Sequence, residues 1–336
     1  PASAPAGVAP ASAATATPTP RSTNGLPPAS AIQACEMSVR ATLRNTRGAA
    51  AEVSFNAPPA AAPGAAEGAE MLLRGAGRAK NVILFIGDGM GISTITAARI
   101  YAGQQKGVDG ESFRLAMEKL PYSAFSKTYT HDSQVADSAP TATAMTTGVK
   151  SYNGTLGVTQ SATIRDCASA KTNATNSLWE IAEDAGLATG VISTARFTHA
   201  TPAAAYAKTT ERDWEDDSDV SPAGKAAGCT DIASQFLAWG HGDGMDVVLA
   251  GGRAQFLPST AADPEYPNEK GGRGDGRNLM DEWKAKGANR TAVIDKAGFD
   301  AFNWNGPGQI LGLFQPSHMQ YEADRDISRL SWQAML

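Results

Sequence analysis

A serine that follows an acidic residue, at the start of a stretch of small residues, is the first candidate for chemistry. Asp137 precedes Ser138, and small residues fill the following positions up to about Thr147. This pattern predicts a helix that begins at Ser138. Because a helix N-terminus carries unpaired N–H groups and a partial positive charge, it suits an anion such as phosphate. By itself, however, an aspartate at this position is more often only a helix N-cap.

A second candidate is Asp88, which lies between two glycines directly after an apolar run. The run Val82–Ile86 predicts a buried parallel strand. Ligands of open α/β sheets gather just past the carboxyl ends of the strands, which is the expected place of Asp88. The alternative is a tight turn whose aspartate caps a helix that starts near Ile92.

The third candidate segment runs from Ser193 to Trp214 and contains His199 and Arg212. Thr201 and the proline after it predict the start of a helix, with Thr201 as N-cap. We expect this helix to continue to about Thr210 and to bring Arg212 to its far end. A guanidinium can hold two phosphate oxygens at once. Taken singly, His199 is more typical of a satisfied polar residue and Arg212 of a surface ion pair.

The elements around these residues alternate between strand and helix, which indicates parallel βαβ units with helices on both faces of the sheet. The sequence therefore predicts an α/β fold, a three-layer sandwich with a mostly parallel central sheet. The predicted elements are helices at 92–104, 138–147, 176–185 and 231–239, and strands at 82–86, 189–193 and 246–249.

Composition divides the chain into three parts. Residues 1–75 are rich in alanine and proline and predict a leader and linker, with a short strand near 52–55. Residues 76–326 have the composition of an α/β domain, and residues 327–336 form a diverged tail. The net charge of −5 argues against nucleic-acid binding, and there is no apolar run of about 18 residues to span a membrane.

Five stretches together resemble the alkaline phosphatases, and most closely the vertebrate-like branch of that family. They are NVILFIGDGMG, ADSAPTATAMTTGVKSYNGTLGV, STARFTHATPAAAYAKTTERDW, DVVLAGGRAQF and ILGLFQP. They occur in the order of the family and at close to its spacing, from about Asn81 to about Tyr321. The resemblance implies an alkaline-phosphatase-like fold and the hydrolysis of phosphate monoesters, with release of inorganic phosphate.

The resemblance also implies roles for the residues that handle phosphate. Ser138 matches the nucleophile that forms a phosphoserine and contacts the metals. Asp137 matches the neighbour that orients the arginine, and Arg212 matches the arginine that binds the non-bridging phosphate oxygens. A homodimer is implied as well.

Two zinc ions and one magnesium ion are the cofactors that the resemblance implies. Asp88 matches the aspartate that bridges a zinc and the magnesium, Thr201 a magnesium ligand, and His199 the histidine beside the magnesium site. Two metals about 4 Å apart can stabilise both the entering and the leaving oxygen of an in-line displacement.

The zinc-binding histidines of the family have no counterparts in this sequence. Its four histidines are His131, His199, His241 and His318, and none lies in the family's zinc-binding contexts. Because zinc needs three or four protein ligands, we expect an incomplete metal site and a chain that is nearly inactive on its own. The interpretation is a fragment or one part of a split enzyme, completed by a separate C-terminal polypeptide.

Two other functions stay open at this point. One is a non-catalytic binding or assembly piece, and the other is a phosphodiesterase or sulfatase of the same superfamily. The serine nucleophile and Arg212 favour the monoesterase.

A calcium site is a further implication of the resemblance, through Glu265 and the backbone carbonyl of Phe314. The next family ligand is a glutamate, but this chain has Gln315 there, and the region of a later aspartate has diverged. Since carboxylate charge tunes calcium affinity, the loss of one or two charges leaves calcium binding open.

Cys167 and Cys229 match the positions of a disulfide in the vertebrate-like branch. That pairing suits an oxidising compartment, so we expect a periplasmic or secreted protein whose signal peptide is already removed. The alternative is two unrelated buried thiols. Cys35 is left over.

Overall fold

The structure, a computed structural model, describes residues 37–44, 50–57, 81–326, 329–330 and 335. The rest of the predicted leader, Cys35 and most of the predicted tail lie outside these residues. Strand β1, Met37–Arg44, pairs antiparallel with strand β2, Ala50–Ala57. The short strand predicted near 52–55 therefore lies within β2.

A four-stranded parallel sheet forms the centre of the described residues between 81 and 326. Its strands are β3 Gly190–Arg196, β4 Val247–Gly251, β5 Arg290–Val293 and β6 Gln309–Leu313. They lie in the order β3-β4-β6-β5, and every neighbouring pair is parallel. The nearly continuous apolar sequences of β4 and β6 are typical of strands that are covered on both faces.

Alternate residues of these strands pack into two different hydrophobic clusters. Val248 and Leu311 belong to the larger cluster, which also contains Phe197, Phe236 and Trp283. The neighbouring strand residues Leu249 and Ile310 belong to the second cluster, together with Phe314. Since successive side chains of a strand point to opposite faces, the sheet is covered on both sides. The predicted α/β fold with a mostly parallel sheet is confirmed.

Short helices connect the strands, and most begin at a side chain that caps the first turn. Ser177 and Glu180 form a capping box at one of them, and Asp231 caps another. The helices with described bounds are α1 Ile92–Gln104, α2 Ser138–Thr147, α3 Cys167–Thr172, α4 Leu178–Asp184, α5 Ala200–Ala203, α6 Pro222–Ala226, α7 Ile232–Ala238, α8 Leu279–Ala285 and α9 Lys296–Ala301. Two 3₁₀ turns lie at Met117–Lys119 and Arg253–Phe256.

The strand predicted at Val82–Ile86 is wrong. These residues adopt no strand, and Ile83 and Phe85 are 78% and 74% exposed. An apolar run becomes a buried strand only when neighbours supply hydrogen bonds and cover its side chains. In the part of the chain that the structure describes, no strand pairs with this run.

The described helices were also compared with the length and hydropathy that a membrane span requires. Within residues 81–326, none is long and apolar enough to cross a bilayer.

Candidate active site

Helix α2 places Ser138 at its first position, as the sequence predicts. Asp137 is the N-cap, and its Oδ1 accepts a hydrogen bond from the N–H of Ala139 at 2.6 Å. The small residues of α2 are buried and allow it to pack against α5. Gly148, with φ of 75°, ends the helix in the left-handed conformation that favours glycine. The Ser138 hydroxyl therefore lies at a helix N-terminus on a packed support.

Arg212 is the residue that connects the groups around Ser138. Its Nη1 donates to Ser138 Oγ at 2.9 Å and to Asp137 Oδ1 at 3.2 Å. Its Nη2 lies 3.0 Å from His199 Nε2. Only 19% of the Arg212 side chain is exposed. A guanidinium fixed on several sides by acceptors is pre-organised to receive phosphate oxygens.

The element that carries Arg212 differs from the prediction. Helix α5 covers only Ala200–Ala203 and is capped by His199, so the predicted N-cap at Thr201 and the predicted helix to Thr210 are both wrong. Arg212 lies in a loop, where its backbone N–H donates to Gly154 O at 2.8 Å. A backbone contact to another loop, rather than a helix, sets the position of this arginine.

Sequence reasoning missed the role of the loop around Asn153 and Gly154. The N–H of Gly154 donates to Asp137 Oδ2 at 2.5 Å, and Asn153 Oδ1 accepts from the N–H of Asp137 at 3.3 Å. The loop thus holds both the helix cap and, through Gly154 O, the arginine. The Asn-Gly pair is a turn signal, and Gly154 indeed has φ of 80°. That signal predicts the turn, but it does not predict that the turn contacts Asp137 and Arg212.

The surroundings of His199 favour its neutral form. Burial lowers the pKa of His199, and the positive charge of Arg212 lowers it further. A neutral imidazole lets Nε2 accept from the Arg212 guanidinium. Nδ1 is buried without a hydrogen-bond partner among the described residues, and the ring lies 5.3 Å from the His318 ring.

A cluster at the end of β3 supports this histidine, and sequence reasoning missed it. Arg196 donates two hydrogen bonds to Glu215, at 2.8 and 2.5 Å, and a third to His318 Nε2 at 2.7 Å. Thr198 also donates to Glu215, at 2.6 Å. Although burial raises the pKa of Glu215, these hydrogen bonds outweigh it and hold the pKa below its usual value. The carboxylate therefore stays charged and fixes the chain on either side of Phe197.

Asp88 meets the site through Thr201, whose Oγ1 donates to Asp88 Oδ2 at 2.9 Å. The turn between Gly87 and Met90 supports Asp88, and Gly89 has φ of 63°. Thr201 lies two residues after His199, which in turn contacts Arg212. The structure therefore brings the residues predicted at 88, 138, 199, 201 and 212 into one connected group.

The donor atoms of this group suit magnesium better than zinc. The Asp88 carboxylate and the Thr201 hydroxyl are hard oxygen donors of the kind that magnesium prefers. A zinc site takes three or four His, Cys, Asp or Glu ligands. Within the described residues, no group of three such side chains is placed to hold a metal ion.

The two cysteines predicted to pair form a disulfide. Cys167 and Cys229 are bonded, with their Cα atoms 5.3 Å apart and a sequence separation of 62. The bond joins the first residue of α3 to the loop before α7. The loop that carries Arg212 lies within the closed stretch of chain.

Glu265 and Phe314, predicted as calcium ligands, line one cavity together with Arg329. Arginines occupy both oxygens of the Glu265 carboxylate. The structure thus brings the two residues together, but with positive side chains beside them.

Beside a parallel sheet, the structure gathers a serine, an arginine and a carboxylate at one site, an arrangement that suits an anion such as phosphate. The model of the alkaline phosphatase family matches residues 79–332. The chain belongs to the alkaline phosphatase family.

Individual relatives agree with that membership. The chain is 41% identical over 254 residues to alkaline phosphatase from Gadus morhua, covering 74% of this chain and 53% of the relative. It is 42% identical over 261 residues to the tissue-nonspecific isozyme from Homo sapiens, covering 74% and 48%. Among solved structures, Thermus thermophilus alkaline phosphatase matches with a TM-score of 0.55 at 26% identity, covering 75% of this chain and 44% of that chain. The chain spans about half the length of the curated relatives it matches.

Proposed function

We propose that this chain supplies the nucleophile and the phosphate-binding groups for hydrolysis of phosphate monoesters through a phosphoserine at Ser138. The observation that carries the proposal is the contact of Arg212 with the Ser138 hydroxyl at 2.9 Å, at the N-terminus of α2. Serine, guanidinium and helix N-terminus converge on one point. Each of the three favours a phosphoryl group there.

The side chains around Arg212 act by holding it in place. Asp137 and His199 contact the two terminal nitrogens of the guanidinium, one on each. When phosphate is bound, the N–H groups now directed at Ser138 would donate to the non-bridging oxygens instead. Because the transferred phosphoryl group is highly charged in the transition state, a fixed cation beside it lowers the barrier.

Zinc and magnesium, when bound, would supply Lewis acid that lowers the pKa of the serine hydroxyl and stabilises the leaving alkoxide. Asp88 and Thr201 would hold the magnesium ion, and Ser138 would be the hydroxyl that the metals activate. The described residues do not complete a zinc site. The residues of this chain therefore bind and orient the phosphoryl group, and Ser138 attacks it as the nucleophile.

The disulfide bears on the cellular compartment in which the protein is found. Disulfides persist in oxidising environments and are rare in the cytosol. The bond between Cys167 and Cys229 therefore favours a periplasmic or secreted location. The homodimer that the resemblance implies remains a prediction.

Phosphate binding and phosphoenzyme trapping together test the proposal. The purified chain, supplied with zinc and magnesium, is titrated with inorganic phosphate and followed by ³¹P NMR. Because a hydrogen bond to a charged group contributes about 1.5–3 kcal/mol, we expect Arg212→Ala to weaken phosphate binding by about tenfold or more. The matched control is Arg277→Ala, since Arg277 is a half-exposed arginine that pairs with Glu282 away from this site.

Trapping then separates catalysis from binding. The chain, combined with a C-terminal polypeptide that completes its metal site, is incubated with ³²P-phosphate at mildly acid pH, quenched in acid and digested, and the labelled peptide is mapped. We expect the label on Ser138, and its loss in Ser138→Ala but not in Ser161→Ala, an exposed serine. Label on another residue, or phosphate binding with no label at all, would overturn the nucleophile assignment. The latter result would favour a non-catalytic binding piece.

A further inference from the structure

The family resemblance places a calcium ion beside Glu265, but the residues around Glu265 do not fit that ion. Calcium takes six to eight oxygen ligands, several of them carboxylates. Here Gln315 stands where the family has a second glutamate. The side chains that meet Glu265 are cations rather than further oxygen donors.

Arg253 fixes one oxygen of the Glu265 carboxylate from inside the protein. Its side chain is fully buried, and its Nη1 donates to Glu265 Oε2 at 3.0 Å. The same guanidinium donates two hydrogen bonds to Asp263, each at 2.7 Å. It also donates to the backbone carbonyls of Ile294 and Leu313, at the ends of β5 and β6. The Glu265 loop is thereby attached to the central sheet without a metal.

Arg329 fixes the other oxygen from the outer side. Its Nη1 donates to Glu265 Oε1. The guanidinium also lies over the ring of Tyr266, 4.7 Å from the centroid, so an aromatic face helps to hold the cation. Both oxygens of Glu265 are therefore already engaged by positive side chains.

The charged side chains that contact Glu265 and Arg253 balance one another without a bound ion. Arg253 and Arg329 contribute two positive charges, while Asp263 and Glu265 contribute two negative charges. The adjoining cavity of about 260 Å³ adds Asp295 and Lys296, and Lys296 also pairs with Asp300. Because the two arginines neutralise Asp263 and Glu265, the electrostatic attraction that a calcium ion needs at Glu265 is weakened.

We propose that the Arg329 guanidinium takes the place of the calcium ion, so that this chain carries a calcium-independent form of the family's calcium site. Two ion pairs that share Glu265, one with Arg253 and one with Arg329, join the Glu265 loop to the chain that follows Phe314. This inference does not rest on the proposed catalytic function, because none of these residues contacts Ser138 or Arg212 in the described part of the chain. Its failure would leave the phosphoserine assignment untouched.

Thermal unfolding with and without calcium tests the proposal on the full chain. For the wild type, we expect the same Tm in EGTA and in millimolar CaCl2, and no binding heat that depends on Glu265 in calorimetry. A calcium-dependent rise in Tm that Glu265→Gln abolishes would overturn the proposal. A rise that persists in Glu265→Gln would place calcium elsewhere and support it.

A second variant tests whether arginine occupies the place of the cation. Arg329→Asp combined with Gln315→Glu restores the two carboxylates, and we expect a rise in Tm of a few degrees on addition of calcium. The matched control is Arg277→Asp with Gln315→Glu, because Arg277 pairs with Glu282 and its substitution leaves the contacts of Arg329 in place. If the first variant folds and shows no calcium response, the proposal is wrong. If it does not fold, the wild-type titration decides.

Discussion

The residues that form the candidate site come from two regions that differ in packing. In residues 81–136, large apolar side chains such as Phe85 and Phe125 are exposed, the latter by 91%. In residues 137–320, the sheet and its helices enclose the hydrophobic clusters, and among the described residues every buried hydrophobic side chain lies at or after Ala139. We call these the exposed region and the packed region.

This difference divides the site itself. Ser138, His199 and Arg212 stand on the packed region, where buried neighbours and backbone hydrogen bonds fix them. Asp88 stands on the exposed region, and the side-chain hydrogen bond that joins it to the packed region comes from Thr201. The groups proposed to bind phosphate are therefore pre-organised by the fold to a greater extent than Asp88, the proposed magnesium ligand.

The largest expected effect compares one apolar side chain from each region. Leu311 on β6 is fully buried, whereas Ile83 is 78% exposed. We expect Leu311→Ala to lower the free energy of unfolding by about 3 kcal/mol, since it removes buried surface and leaves a cavity. Ile83→Ala should change it by less than about 0.5 kcal/mol. Urea unfolding followed by tryptophan fluorescence measures both.

The result for Ile83 tests whether the exposed region is unpacked in solution. If Ile83→Ala destabilised the protein as much as Leu311→Ala, the apolar run at residues 82–86 would be packed in solution. The prediction of a strand there would then regain support.

The two regions also show which strands and helices could be predicted from the sequence and which could not. Strands β3 and β4 and helices α1, α2, α4 and α7 were all predicted close to their bounds. Local signals mark most of them, such as the side-chain caps of α2, α4 and α7 and the apolar sequence of β4. The run at residues 82–86 has an equally clear pattern, yet it forms no strand. Periodicity reports which side chains would be buried in a sheet, but not whether neighbours are present to bury them.

In the candidate site as well, local signals predict some positions but not the contacts between residues that are distant in sequence. The N-terminal position of Ser138 was predictable because Asp137 and the small residues after it are a local signal. The placement of Arg212 was not, since it depends on a backbone contact to Gly154, far away in sequence. The Arg196–Glu215–His318 cluster also joins residues from three distant segments. No local pattern marks such contacts.

The second effect is a pH dependence that arises in the packed region. Burial raises the pKa of Glu183 to about 7, and the carboxylates of Asp246, Asp243 and Asp184 add to the rise. Its Oε2 has no hydrogen-bond partner in the described residues, which leaves the charged form poorly solvated. The folded state therefore binds a proton more tightly than the unfolded chain, whose glutamates titrate near their ordinary value.

The sign of the pH effect follows from that difference. Between the unfolded pKa and about 7, the folded state holds more protons, so stability is greatest at the acid end and falls as the pH rises through this window. In Glu183→Gln this fall should become shallower, by a few degrees in Tm across the range. Glu111→Gln, an exposed carboxylate of the exposed region, is the control. An unchanged slope in Glu183→Gln would show that Glu183 titrates normally.

The smallest effect concerns the contact between the two regions. Thr201→Val keeps the shape of the side chain but removes the hydroxyl that donates to Asp88. Since one such hydrogen bond contributes about 1 kcal/mol, we expect the turn at Gly87–Met90 and the start of α1 to open about fivefold more often. Thr201→Ser retains the hydroxyl and should behave like the wild type.

Hydrogen–deuterium exchange on the peptides that contain Asp88 and Ser138 reads this effect separately in each region. Faster exchange confined to the Asp88 peptide, with the Ser138 peptide unchanged, would mean that the packed region keeps its geometry without the exposed region. Equal acceleration in both peptides would contradict that reading, because it would make Thr201 a support of α2 as well. An unchanged Asp88 peptide would show that contacts other than this hydrogen bond hold the carboxylate. The peptide that responds to the loss of this hydroxyl therefore decides whether the packed region around Ser138 is pre-organised independently of Asp88.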